Sequence, residues 1–328
     1  MAPKVSVVIT TLDRLAFLGE AVASVAAQDD VAHELIVVDH GSSDGTREWL
    51  AGRDDFLALS AERDPTRSRS ANISIARNAG LERARGDHVW FLDDDDRMRP
   101  GALAALSGAL DEQPAAVAAV GARMRFGEGI VGGRIAHPLR RVVRDVGPEL
   151  LLGWGWVPSQ ALCRASVLRQ VGCWRDDVRR SEDADMWLRI AARGPVILAP
   201  ETVVDYRVHP AQVRYAPDAV RDELSRPYVA QLAGGDRSRG EVLRAAGRRW
   251  ERAIVAFDDG DYRDALRATV DGALRAPLLL RSPVTGPAAT RMIVRSALRS
   301  WGPTRRWVES RPAPQAGERP RRGTGFLS

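Results

Sequence analysis

Four short apolar, β-branched runs punctuate the first hundred residues, at Val5–Thr10, Glu34–Asp39, Phe56–Ser60 and His88–Leu92. Between them, apolar positions recur at helical spacing over Ala16–Ala27, Gly45–Leu50 and Ser70–Ala84. A strand buried on both faces reads as an unbroken apolar run, whereas an amphipathic helix repeats about every 3.6 residues. The segment therefore predicts strand–helix alternation, parallel pairing and an open α/β sheet. In such sheets ligands collect at the carboxyl ends of the strands, so the polar residues at those ends are the candidates for chemistry.

Further along, Ala115–Met124 reads as another strand and Ala165–Val171 as a short helix. Gly127–Gly133, with four glycines in seven residues, reads as a loop or lid. A helix is predicted over Asp183–Arg193, stopped by Gly194-Pro195. After Pro217 the pattern changes to arginine-rich helices over 218–233, 238–258, 261–275 and 287–301. Ala256–Leu266 looks like one tetratricopeptide hairpin, and a single copy is too short for a solenoid. The predicted organisation is a catalytic domain over 1–215, a helical basic region over 216–308, and a disordered Pro/Arg/Gly-rich tail over 309–328.

Composition narrows this only a little. With 45% hydrophobic and 28% charged residues in 328, the chain is an ordinary globular protein without the apolar run that a membrane span requires. Met1-Ala2-Pro3-Lys4 leads directly into a strand, which leaves no room for a signal peptide. Two cysteines, Cys163 and Cys173, form no disulfide framework and suit a reducing, cytoplasmic setting. Residues 217–328 carry 21 Arg against 13 acids, a balance of +8; the whole chain is +5, so residues 1–216 sum to −3. That sign suits an anionic partner such as membrane lipid or nucleic acid. An arginine-biased genome explains it equally, since Lys4 is the only lysine beside 47 arginines. The reading keeps a peripheral membrane contact through residues 277–328, at the inner face, and no nucleic acid.

The densest local signal is Phe91-Leu92-Asp93-Asp94-Asp95-Asp96, an apolar strand running into four carboxylates. Alternation along a strand puts Asp93 and Asp95 on one side, where both can meet one cation. Their repulsion demands compensation, which a hard divalent ion, Mn²⁺ or Mg²⁺, provides while leaving positions for substrate phosphates. A solvated acidic loop is the bland alternative. Val37–Thr46 is a buried strand ending in Asp39, then a small polar turn in which Asp44 suits a helix N-cap. No G-x-G-x-x-G follows the first strand and no G-K-S/T occurs, which argues against dinucleotide oxidoreductases and P-loop enzymes. Glu182-Asp183 opens a helix, where acids often only complement the dipole.

Together, Val5–Thr11, Val37–Thr46, Ala76-Arg77-Asn78-Ala79-Gly80, Gly86-Asp87 with Phe91–Asp96, and Glu182-Asp183 resemble the family 2 glycosyltransferases in order and spacing, over about residues 4–215. The resemblance implies a glycosyltransferase-A fold (a Rossmann-like open mixed sheet flanked by helices, here with a helical C-terminal extension). It also implies a nucleotide-sugar donor, a divalent metal and inversion at the anomeric carbon. It makes Asp39, Thr10 and Arg77 donor contacts, together with Asp93 and Asp94. Asp95 and Asp93 become the metal-side acids, with His209 from Tyr206-Arg207-Val208-His209-Pro210 reaching the metal or diphosphate. Asp183 becomes the general base, with Glu182 beside it.

Two positions depart from the family pattern: Leu12 stands where an aromatic is usual, and His40 where Asp or Asn is common. Both flank the base pocket, so UDP-, GDP- and dTDP-sugars all stay open as donors, with a glycan or lipid-linked acceptor. Trp154 and Trp156, flanked by glycine, are candidate acceptor platforms, while Trp174 and Trp187 suit a core. Val294, Ala297, Leu298 and Trp301 form a stripe beside Arg291, Arg295 and Arg299, which fits either a membrane surface or docking on the chain's own domain. A non-catalytic nucleotide-sugar-binding protein and a sugar nucleotidyltransferase are the rival classes.

Overall fold

The computed structural model describes residues 2–127, 133–135, 142–144, 146–151, 155–209, 225–233, 235–258, 261–277, 280 and 286–300. Its centre is a ten-stranded mixed sheet. Strands β1 (Val5–Thr11), β2 (His33–Asp39), β3 (Leu57–Ser60) and β4 (His88–Asp93) pair in parallel in the order β3-β2-β1-β4. The path continues through β9 (Ala161–Arg164), β6 (Ala118–Gly127) and β10 (Val196–Val208) to the two-residue β5 (Arg97–Met98). Strand β9 runs antiparallel to both β4 and β6, and β5 antiparallel to β10, whereas β6 and β10 pair in parallel, so the sheet is mixed. Short strands β7 (Gly133–Ile135) and β8 (Val142–Arg144) pair with β6 and β10.

Alternation along β1 explains the layering. Val5, Val7 and Ile9 face one hydrophobic cluster with α1 (Leu15–Ala26) and α4 (Ala102–Glu112), and Val8 faces the other. Helix α1 buries Leu18, Ala21, Val22 and Val25, the stripe of an amphipathic helix. On the opposite face lies α3 (Arg69–Arg83), which approaches so closely at Gly80 that a Cβ there would sit 2.4 Å from Val8 Cγ1. Only glycine allows that approach, which accounts for the residue in the Ala76–Gly80 motif. The shorter helices are α2 (Thr46–Ala51), α5 (Gly147–Leu151), α6 (Ala165–Gln170) and α7 (Glu182–Ala191).

The basic region forms α8 (Val229–Leu232), α9 (Arg237–Asp258), α10 (Tyr262–Arg275) and α11 (Gly286–Ser300). Leu243, Ala246, Trp250, Ala253, Ala268 and Ala289 belong to the same buried cluster as Met186, Trp187 and Val8, so these helices share a core with one face of the sheet. The helix expected over 218–233 is, in its described part, a 3₁₀ turn at Arg226–Tyr228 followed by the single turn of α8. The lid positions 128–132, the segment 210–224 and the tail 309–328 lie outside the described residues. No helix among the described residues is long and apolar enough to cross a membrane.

Candidate active site

Parallel register places Thr10 beside Asp93 and Thr11 beside Asp39, so three strand ends present one polar row. Asp39 is buried; its Oδ1 accepts from Ser42 N at 3.0 Å, while Oδ2 has no hydrogen bond and lies 3.8 Å from Arg47 Nε. An unsatisfied buried acceptor costs about 1–3 kcal/mol, which leaves this oxygen poised for a donor. The turn that follows is tightly tied. Asp44 accepts from Thr46 N at 3.1 Å and Leu15 N at 2.9 Å, fixing the first turns of α2 and α1 together. Gly45, with φ +93°, holds the N-cap position expected for Asp44 itself.

Below the row opens a cleft of about 270 Å³ lined by Thr10, Thr11, Leu12, Arg14, His40, Arg63, Arg69, Asn72, Ile73 and Asp94. His40 is buried there, and desolvation, with Arg63 nearby, lowers its pKa and favours the neutral ring.

The acidic run is a turn and not an extended strand. Strand β4 ends at Asp93, and Asp96 N donates to Asp93 O at 3.1 Å. Strand alternation therefore does not carry to Asp95, and Asp94 also faces inward. Asp94 accepts from Thr11 Oγ1 at 2.8 Å and from Arg14 at 2.9 Å, and burial pushes its pKa up to about 6 against the pull of Arg14. Arg14 also reaches Asp95 Oδ2 at 2.8 Å. Asp96 is wholly buried and accepts from Arg207 N at 2.8 Å; burial, then Asp93 and Asp95, hold its carboxyl well above the ordinary range.

Asp95 Oδ2 lies 3.0 Å from His209 Nε2, and that ring tilts against Phe17 at 5.8 Å between centroids. Arg207 braces the pair. Its Nε donates to Asp95 O at 2.8 Å, its Nη2 to Glu20 at 2.6 Å, and its guanidinium lies 4.5 Å from the Phe17 ring and 4.4 Å from that of Phe126. A carboxylate and an imidazole converging on one point suit a divalent ion that completes its sphere with water and phosphate oxygens. No group of three or more His, Cys, Asp and Glu able to hold a metal exists among the described residues, so substrate would have to supply the remaining ligands.

Arg77, expected near the base or phosphates, is a buried hub. Its Nη2 donates to Asp93 Oδ1 at 2.9 Å, its Nη1 lies 3.5 Å from Glu182 Oε1, and its guanidinium lies 4.4 Å over the Trp174 ring. Burial raises the Asp93 pKa despite Arg77, with Asp95 and Glu182 adding to the rise. Through this bridge the N-terminus of α7 is bound to the end of β4. Ser181, immediately before it, has φ +58° and turns the chain into the helix in a left-handed conformation. Asp183 is half-buried in the first turn, where its Oδ1 accepts from Ala184 N at 2.7 Å.

Trp156 does not offer an accessible ring face. It is 2% exposed, 5.0 Å from Trp187 between centroids, and its carbonyl accepts from Trp187 Nε1 at 2.8 Å. An acceptor platform needs an open face, so this expectation is corrected; Trp154 lies outside the described residues. Trp174 and Trp187 are core residues, as expected. Sequence reasoning missed Arg14, Arg63, Arg69 and the brace at Arg207. In a chain with 47 arginines, residue type alone marks none of them.

Similarity to known proteins agrees with this geometry. The chain is 36% identical to the GalNAc(5)-diNAcBac-PP-undecaprenol beta-1,3-glucosyltransferase of Campylobacter jejuni subsp. jejuni serotype O:2, over 32% of this chain and 33% of that protein. For two further curated relatives it spans 65% and 20% of their lengths. In fold it resembles S. aureus TarS 1-349 in complex with UDP-GlcNAc, with TM-score 0.61, 15% identity and 89% of each chain covered. It also resembles the mannosyltransferase PcManGT from Pyrobaculum calidifontis in complex with GDP-Man and Mn²⁺, with TM-score 0.50, 19% identity, and 94% and 84% covered. The family model described as glycosyl transferase family 2 matches residues 6–169, half of the 328, from the first strand through β9 and α6. With that match added to the row at the strand ends, the chain belongs to glycosyl transferase family 2.

Proposed function

We propose that the chain is an inverting glycosyltransferase that moves a sugar from a nucleoside-diphosphate donor to a hydroxyl of a glycan or lipid-linked acceptor, on the cytoplasmic side of the cell envelope. The supporting observation is the juxtaposition of two carboxylate groups: the acidic turn with Asp95 and His209, and the first turn of α7 with Glu182 and Asp183, joined through Arg77. Asp39 Oδ2, buried and unsatisfied, suits an N–H of the base. The UDP-, GDP- and dTDP-sugars remain the donor class; related structures carry UDP-GlcNAc in one case and GDP-Man in another. The acceptor class rests on the Campylobacter relative, whose name specifies an undecaprenol-linked substrate.

Asp183 takes the proton of the acceptor hydroxyl while that oxygen bonds to the anomeric carbon and the carbon–phosphate-oxygen bond breaks, its electron pair leaving with the diphosphate. A single displacement inverts the centre and needs one base, without the paired carboxylates of a hydrolase. Thr10, Asp93 and Asp94 border the donor, and Glu182 holds the base helix in place through Arg77. Asp95 and His209, with Asp93 nearby, would hold Mn²⁺ or Mg²⁺, which supplies charge stabilisation to the departing diphosphate.

The test is turnover of a panel of nucleotide sugars with and without Mn²⁺. Asp183→Asn should lower kcat by about 10²–10⁴-fold while sparing donor binding. Full turnover by that variant would remove Asp183 from the role of base. Release of pyrophosphate, in place of a nucleoside diphosphate, would identify a nucleotidyltransferase instead.

A further inference from the structure

Six large hydrophobic side chains stand exposed among the described residues: Leu57, Val242, Val270, Leu274, Leu280 and Val294. Four of them fall between residues 270 and 294, and Leu274, at 77%, is the most exposed. Helix α10 buries Ala265, Ala268, Thr269 and Gly272 and turns Arg263, Arg267, Val270 and Leu274 outward. Steps of four, three and four residues put those last four on one helical face. Helix α11 packs beside α10; it buries Ala289 and Ser296, rests Met292 on the core, and exposes Arg291, Val294 and Arg295.

Arginine predominates on this surface, and the acids of α10 within it are already paired. Asp264 is paired with Arg252 at 2.8 Å, and Asp271 with Arg249 and, at 3.2 Å, Arg275. Helix α11 contains no acid. The packing thus resolves the question posed by its sequence: α11 docks on the protein through one face and still presents Val294 between two arginines to solvent.

Aliphatic side chains flanked by arginine match a surface that enters the headgroup region of an anionic bilayer. Self-association fits poorly, because a two-fold contact would set this arginine face against its own copy, whose Asp264 and Asp271 are already paired within the chain. We propose that the outward faces of α10 and α11 dock on an anionic lipid surface, with Leu274 and Val294 entering the interface and Arg263, Arg267, Arg291 and Arg295 meeting headgroup phosphates. The patch begins upstream of residue 277, on residues that the sequence pattern did not single out.

Sedimentation of the full chain with vesicles decides the matter. Binding is expected to phosphatidylcholine vesicles carrying phosphatidylglycerol, to weaken with salt, and to be lost on pure phosphatidylcholine. Leu274→Glu and the pair Arg291→Glu/Arg295→Glu should each lower partitioning by about tenfold or more, whereas Leu57→Ser, on the far edge strand, should not. Circular dichroism and nucleotide-sugar binding check that the variants stay folded, which their exposure favours. Absence of binding to anionic vesicles, or equal binding by Leu274→Glu, would overturn the proposal. So would concentration-dependent dimerisation in light scattering that Leu274→Glu abolishes, which would make a second copy the occupant. None of these outcomes depends on the donor or the chemistry.

Discussion

Removing the Arg77 guanidinium should destabilise the protein and disable it together. Arg77→Met keeps most of the side chain's length but leaves Asp93 and Glu182 facing each other without a cation. Breaking a buried ion pair from one side costs about 3–5 kcal/mol. The lower end applies here, because the Asp93 and Glu182 side chains keep 27% and 17% of their exposure. Loss of the contact with Trp174 adds about 1 kcal/mol. The sum, about 4 kcal/mol, corresponds to a fall in Tm of about 10 °C for a chain of this size. Arg77→Lys retains the charge and loses the fork that reaches both carboxylates, so it should fall between. Denaturant titration of Arg77→Met, Glu182→Gln and the double variant gives the coupling, expected to be about 1 kcal/mol or more. A single-variant loss below about 1 kcal/mol, or additive effects in the cycle, would refute the bridge.

Gly86→Ala should cost about 2–3 kcal/mol by chemical denaturation, because its Cβ would lie 2.6 Å from Ser6 N and 2.8 Å from Val5 C, where only backbone can yield. His88, buried beside Arg164, has its pKa lowered from the ordinary 6.5, mainly by desolvation. The unfolded chain therefore takes up the proton first; the stability associated with neutral His88 is present above pH 6.5 and lost as pH falls below it. His88→Asn should flatten that acid limb, and an unchanged slope would exclude His88 as its source. Asp95→Asn should weaken Mn²⁺ binding in the presence of nucleoside diphosphate by more than about tenfold, read by electron paramagnetic resonance. Wild-type affinity would remove Asp95 from the metal.

The parallel half of the sheet was legible because β1, β2 and β4 are buried on both faces and spell unbroken apolar runs. Helices α9, α10 and α11 were legible from their amphipathic period. Strand β10 was not: Pro200, Glu201 and Thr202 interrupt it, and register shifts between Leu198 and Val204 erase its alternation. Strand β9, four residues inserted between β4 and β6, has no local signal that separates it from the helix that follows. At the site, strand ends located Asp39 and Asp93. Alternation misled beyond Asp93 because a backbone bond closes a turn there. Arg77 was placed near the donor by family resemblance, and its bridging role depends on the distance to Glu182, which lies 105 positions away in sequence.

The sheet's ends have a consequence for how the protein behaves in a crowded solution. Both strands that close the eight-strand path are stubs: β3 has four residues and β5 two. A long bare margin of amide and carbonyl groups invites another chain to add itself, and a short one gives such a visitor too few bonds to stay. Brevity thereby helps to shield the broad sheet from edge-to-edge polymerisation, and at β5 the Ser24 hydroxyl of α1 already accepts from Met98 N at 2.9 Å.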